Sequence, residues 1–181
     1  VSGNQAHGSG GGIYTSGKTD LTCSTLSKNT SYDVGGGVMV NNKGKLSLFD
    51  ASIEGNDASG KGGGVYMSGS SSSVSMQRNV SIANNDGGDV SLASGKKLTI
   101  SGPLVVTSPI GVVLEKAEGV FTNGFGTYEG DADPAGFFKS SYGYDVYRKG
   151  DEAAVHIQFS ADDVLDLQLA DGETFFSHNE I

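Results

Sequence analysis

Short apolar runs return along the first hundred residues at a nearly constant interval: Ile13-Tyr14-Thr15, Val38-Met39-Val40, Val65-Tyr66-Met67 and Val90-Ser91-Leu92. Eight or nine residues after the start of each run comes a second set, Leu21, Leu46, Val74 and Leu98, followed two residues on by Cys23, Leu48, Met76 and Ile100. A third set follows at Leu26, at Ile53, at Val80 and Ile82, and at Leu104 and Val106. Apolar residues at i and i+2 lie on one face of a strand. The pattern therefore predicts three short strands in each unit of about 25 residues. Alternation turns Ile13, Val38, Val65 and Val90 inward, with Thr15, Val40, Met67 and Leu92 as a second inward stack and Tyr14, Met39 and Tyr66 facing out. A unit that recurs at this period buries its apolar face only against its neighbours, as in a solenoid.

Glycine punctuates each unit. Triplets stand at Gly10, Gly11 and Gly12, at Gly35, Gly36 and Gly37, and at Gly62, Gly63 and Gly64, with a weaker copy at Gly87 and Gly88. Glycine reaches positive φ without a Cβ clash and lets backbones approach, so the triplets are expected to be corners rather than a phosphate cradle, which would need a helix start and a nearby lysine. Six residues before each of the three full triplets stands an asparagine, Asn4, Asn29 and Asn56, with Asn84 or Asn85 ahead of the weaker copy. Stacked amides bond coil to coil, so Asn4, Asn29, Asn56 and Asn84 are expected to form a structural ladder. The succession Asn-x5-Gly-Gly-Gly-[Ile/Val] resembles the right-handed β-helix repeat proteins of the pectin-lyase-like fold, and within them the repeats of polymorphic outer-membrane proteins and bacterial adhesin-like proteins. The third glycine stands where that repeat usually carries alanine, and Phe49 lies seven residues before Asn56. The fold so implied is all-β, a right-handed parallel β-helix of about four to five coils with a C-terminal cap.

From Pro103 the glycine beat stops. Seven of the eight phenylalanines, four of the seven tyrosines and 14 of the 21 acidic residues lie beyond residue 110. A solenoid must cover its last coil, and an aromatic-rich segment suits that task. Ile110 to Leu114 and Val120 to Thr122 read as further coil strands, residues 123–143 as a loop, and Tyr144 to Ile157 as a hairpin turning through Arg148 to Glu152. This closing segment resembles those of β-helix repeats in large cell-surface proteins of gut-type bacteria. The organisation expected is a β-helix over residues 1–122, a capping segment over 123–159 and an acidic tail or last strand over 160–181, the whole reading as a piece of a longer chain.

A formal charge of −9 with only two arginines argues against nucleic acid or an anionic membrane as partner. Nothing approaches the ~20 apolar residues of a membrane span. The lone Cys23 excludes an internal disulfide and reads as a buried strand residue. His7, His156 and His178 lack metal spacing, and Asn84 to Asp89 and the pair Asp131 and Asp133 only faintly suggest calcium loops, so no metal or cofactor is expected. Asp20, Asp33, Asp50, Glu54, Asp57, Asp86 and Asp89 are the acids of the repeats, and only Asp20 and Asp50 with Lys18 or Lys45 suggest a lyase arrangement. The expectation is therefore a non-enzymatic scaffold, extracellular or on a bacterial surface, that presents a face to host, matrix or glycan ligands, with Tyr14, Met39 and Tyr66 as the candidate binding column. A polysaccharide lyase or hydrolase and a pure spacer are the alternatives.

Overall fold

The computed structural model describes residues 1–116 and 118–157. Its coils run as β1 (Gln5–Ala6), β2 (Ile13–Thr15), β3 (Lys18–Thr22) and β4 (Thr25–Ser27); then β5 (Thr30–Ser31), β6 (Val38–Val40) and β7 (Lys45–Glu54); then β8 (Asp57–Ala58), β9 (Val65–Met67) and β10 (Ser73–Ala83); then β11 (Val90–Leu92) and β12 (Leu98–Val105). The closing elements are β13 (Ile110–Leu114), β14 (Gly119–Val120), β15 (Thr122–Asn123), α1 (Phe125–Glu129), β16 (Phe138–Ser140), β17 (Asp145–Lys149) and β18 (Glu152–His156). The result is a parallel β-solenoid of about five turns.

Three parallel sheets climb the solenoid. One stacks β2, β6, β9, β11, β13 and β16; a second stacks β3, β7, β10, β12 and β15, with β4 also on β7; a short third stacks β1, β5 and β8. The second and third strands expected for each unit fuse in β7 and β10, because the chain bends through one left-handed residue without leaving the ladder. Cys23, Asp50 and Arg78 hold that corner at φ of 47, 50 and 62°. A second corner stacks Lys28, Gly55 and Asn84 at φ of 54, 61 and 56°.

The inward stacks form one continuous core from Leu21 and Leu26 through Val38, Leu48, Ile53, Val65, Met76 and Ile82 to Leu98 and Ile110. Register corrects one expectation. Thr19, not Leu21, faces Leu46, and Leu21 faces Leu48. The connection from β2 to β3 is two residues shorter than that from β6 to β7, so the apolar match slips by two and leaves the same face inward. Cys23 thereby reaches the corner and is exposed rather than buried in a strand.

The segment 123–143 is structured, not a loop. Phe125 in α1 and Phe138 in β16 are buried beside Phe121, which meets Phe138 edge to face at 5.2 Å. Those rings fill the open end of the core, and β16 adds a strand to the first sheet beyond β13. β17 and β18 pair antiparallel around Gly150 and Asp151, a tighter turn than Arg148 to Glu152, and β14 joins β18. Glu152 locks this cap: its carboxylate accepts from Thr122 Oγ1 at 2.8 Å, Gly124 N at 2.7 Å and Phe125 N at 3.1 Å. The expectations of an acidic tail or last strand over 160–181 and for His178 lie outside the described residues.

Candidate functional site

The asparagines form a directed ladder. The backbone N–H and Nδ2 of Asn4 both donate to Asn29 Oδ1, those of Asn29 to Asn56 Oδ1, and those of Asn56 to Asn85 Oδ1, all at 2.9–3.1 Å. Asn85 is therefore the fourth rung and Asn84 is not. Asn84 instead occupies the left-handed corner stacked on Gly55, and in every coil the rung is the next residue. The spacing misled because Asn56 precedes Val65 by nine residues while Asn85 precedes Val90 by five.

The same register explains the triplets. Gly10, Gly35 and Gly62 take positive φ of 76, 69 and 69°. A Cβ on Gly36 would lie 2.5 Å from Gly63 O, and one on Gly11 equally close to Gly36 O. The third position, Gly12, Gly37 or Gly64, faces the next rung, whose Nδ2 would lie within 3.0, 3.2 and 2.9 Å of an added Cβ. In the fourth copy that position is Asp89. Its buried carboxylate enters the space of the missing fifth rung, taking Asn85 N and Nδ2 on Oδ1 at 3.2 and 3.1 Å and Gly111 N on Oδ2 at 3.0 Å. An anionic acceptor thus ends a chain of polarised amides.

Tyr14, Met39 and Tyr66 do align coil on coil, yet they do not make an exposed aromatic column. Met39, in register between Tyr14 and Tyr66, is only 5% exposed, and Tyr66 is half-buried. Only Tyr14 stands clear, at 53%, with its hydroxyl accepting from Asn41 Nδ2 at 2.7 Å.

A lateral groove of about 390 Å³ runs instead along the corner held by Cys23 and Asp50. The first coil contributes Cys23, Ser24 and Thr25, the second Asp50 and Ser52, the third Asn79 and Ser81, and the fourth Val105 and Thr107, over a floor of Ala51 and Val80. Four coils at strand spacing make it about 14 Å long. Thr25, Ser52 and Ser81 lie side by side in register. Asn79 is the extra residue of a bulge between Gln77 and Val80, which aims its side chain at Asp50. Asp50 Oδ1 accepts from Asn79 Nδ2 at 2.7 Å and Asn79 N at 3.2 Å, and Oδ2 lies 3.4 Å from Arg78 Nε. The amide bond from Asn79 holds the Asp50 carboxyl below the ordinary carboxylate range, against an opposing push from desolvation; Asn79 N–H and the Arg78 charge add to it. The Arg78 guanidinium lies 5.2 Å above the Phe49 ring, outside the groove. The signal for this face was present as polar residues at i and i+2, alternating with Leu26, Ile53 and Ile82, but the corner that makes it concave leaves no mark in hydropathy.

The other candidates resolve into structural roles. Lys18 pairs with Asp20 at 2.8 Å, and Asp50 with Arg78 at 3.4 Å. Asp133 accepts from Ala135 N at 3.0 Å at the start of a 3-10 turn, and Asp131 lies 3.8 Å from Arg148. His7 stacks on Tyr32 and His156 pairs with Glu118 at 3.5 Å. Among the described residues no three of His, Cys, Asp or Glu gather as a metal ion requires, and no helix is long and apolar enough to cross a membrane.

Comparison with known proteins gives one result of weight: the family model described as a right-handed beta helix region matches residues 1–129. Neither the curated proteins nor the solved structures yield a match.

Proposed function

The chain belongs to the right-handed β-helix family, and from that premise we propose that it is a non-catalytic segment of a secreted or cell-surface, adhesin-like bacterial protein that holds an extended saccharide in its lateral groove. The observation that carries this reading is the groove itself: four successive coils contribute to one concave, in-register face of hydroxyls, an amide and a carboxylate over small apolar residues. Such a surface matches a pyranose chain, which offers C–H faces to the floor and hydroxyl edges to the walls. A rigid solenoid holds these groups in place before the ligand arrives, which reduces the ordering cost of binding. Binding rather than turnover is favoured because Asp50 is the one carboxylate among the described lining residues, whereas glycoside hydrolysis calls on a pair. The cell-surface setting rests on the resemblance of the Asn-x5-Gly-Gly-Gly repeats to adhesin-like repeats.

Titration calorimetry against neutral, amino and acidic oligosaccharides tests the reading, with a Ser52→Tyr variant that fills the groove. Saturable binding abolished by the tyrosine, with the oligosaccharides recovered uncleaved, is the expected result. Cleavage products would move the protein to the lyase or hydrolase reading, and no binding to any of them would leave a spacer.

A further inference from the structure

The hydrogen bonds around the groove are already made in one direction, and that direction selects a ligand. Ser24 Oγ donates to Thr22 O at 2.7 Å, and Ser52 and Ser81 Oγ both donate to Glu54 Oε1, at 2.7 and 3.0 Å. A serine hydroxyl has one proton and two lone pairs, so each of these three turns only lone pairs toward the groove. Asp50 adds a carboxylate, and Asn79, having committed one amide hydrogen to it, adds its carbonyl oxygen and one remaining N–H. The central rungs are thus rich in acceptors and poor in donors. Thr25 and Thr107 sit at the two ends, and among the described residues neither lysine nor arginine lines the groove. Arg148 is held in the cap by Gly130 O, by Gly150 O and beside Asp151, while Arg78 lies over Phe49 with Nε 3.4 Å from Asp50 Oδ2, so the cation at the groove's edge is already paired with its carboxylate.

We propose that the groove selects an extended oligosaccharide carrying free amino groups, with Asp50 as the residue that receives a protonated amine and Ser24, Ser52 and Ser81 as acceptors for ammonium or hydroxyl hydrogens. This rests on the saccharide reading above and narrows it. An ammonium group brings three donors and a positive charge to a site of lone pairs and one carboxylate. A uronate or sulfated chain would set its anions against Asp50 and the serine lone pairs, with only Arg78 among the described residues, already paired with Asp50, beside them. The hydrogen bonds from Asn79, with the Arg78 charge, hold the Asp50 carboxyl below its ordinary range and so favour the charged form that an ammonium group would meet. The formal charge of −9 on the whole chain adds a long-range attraction of the same sign, weakened by salt.

The test is calorimetric titration of the chain with hexamers of glucosamine, N-acetylglucosamine and galacturonate, repeated on Asp50→Asn, Glu54→Ala and, as a control for net charge, Asp145→Asn in the cap. Asparagine accepts the left-handed conformation that Asp50 holds, so the first variant keeps the corner. The glucosamine hexamer should bind tightest and weaken about tenfold in Asp50→Asn, the loss of one charge-assisted hydrogen bond, with no change in Asp145→Asn. Glu54→Ala frees the protons of Ser52 and Ser81, so binding of the N-acetylated or acidic hexamer should rise. Equal or tighter binding of galacturonate by the unaltered chain, equal binding of the N-acetylated hexamer, or insensitivity to Asp50→Asn overturns the amine assignment while leaving the saccharide reading in place. Failure of every hexamer to bind overturns both.

Discussion

Asn56 shows how much one rung carries. Its Oδ1 takes two donors from Asn29, its own N and Nδ2 donate to Asn85, and Nδ2 also reaches Leu26 O, all within the buried interior. Replacing it with alanine strands the Asn29 N–H away from water and takes from Asn85 Oδ1 its side-chain donor, the backbone N–H of residue 56 remaining, at a cost of about 2–3 kcal/mol. Asn4→Ala, at the exposed end, should cost less than about 1 kcal/mol; urea midpoints at constant slope measure both. Asp89 is a sharper case, because glycine at that position would restore the triplet pattern of the earlier coils. Asp89→Gly should nonetheless destabilise by about 2–3 kcal/mol, since Asn85 N and Gly111 N would lose their acceptor, Asn85 Nδ2 keeping Ile53 O and Ala83 O. A neutral or stabilising result in the same urea series would mean that the carboxylate does not terminate the ladder. Hydropathy and spacing alone made Asn29 and Asn56 legible. The choice between Asn84 and Asn85 was not, because it depends on which of the two lies at the left-handed corner, and both residue types there are asparagine. Met39 was misplaced for a related reason: alternation assigns a face, but whether that face is open depends on the neighbours in register.

At the scale of the element, corners and connections decide what the strands can do. The three-strand unit was readable because buried positions alternate, as in Leu46, Leu48, Ala51 and Ile53 of β7. The bend within β7 and β10 was not, since its left-handed residues are Asp50 and Arg78 rather than glycine. Nor was the shorter connection ahead of β3, which shifted Leu21 by two and carried Cys23 to the surface. Glycines at different corners should differ accordingly. Gly36→Ala pushes a methyl group against two backbone carbonyls of the next coil and should prevent stable folding, whereas Gly55→Ala meets nothing nearby and bears only the positive-φ penalty of about 1 kcal/mol. Circular dichroism and thermal midpoints of the two variants check the contrast. In the cap, Glu152 gathers two backbone donors around the start of α1 and the hydroxyl of Thr122, which in turn accepts from Ala153 N at 2.8 Å. Glu152→Ala should strip hydrogen-exchange protection from β14, β17 and β18 while leaving β7 and β10 protected. Uniform loss of protection would show that cap and coils unfold as one unit.

For the whole molecule, the two ends of the solenoid are unlike. The first-coil strands β1, β2 and β3 are the outermost members of their sheets, while β4 is bridged on its outer side by Ser2, which pairs with Ser27. At that end the inward position filled by leucine or valine in later coils is Thr19, whose hydroxyl donates to Thr15 Oγ1 at 2.8 Å, so the core is already polar there. At the other end Phe121, Phe125 and Phe138 close the core, and Phe121 N donates to Ala153 O at 3.0 Å. Aromatic enrichment beyond residue 110 made a cover legible, but not its construction from a helix turn and a returning sheet, which depends on where Glu152 finds its donors. If the cap protects the last coil from pairing with other chains, then loosening it should expose that edge. Phe121→Ala removes a fully buried ring and should cost about 3–5 kcal/mol. Below the thermal midpoint it should also convert the protein to larger species in sedimentation velocity, growing with concentration. Asp50 and Ser52 at the centre of the groove lie on β7, separated by β10 and β12 from the coil of Phe121, so saccharide affinity of the monomer fraction should hold while assembly changes. A variant that loses stability yet remains monomeric would assign the cap to core filling alone.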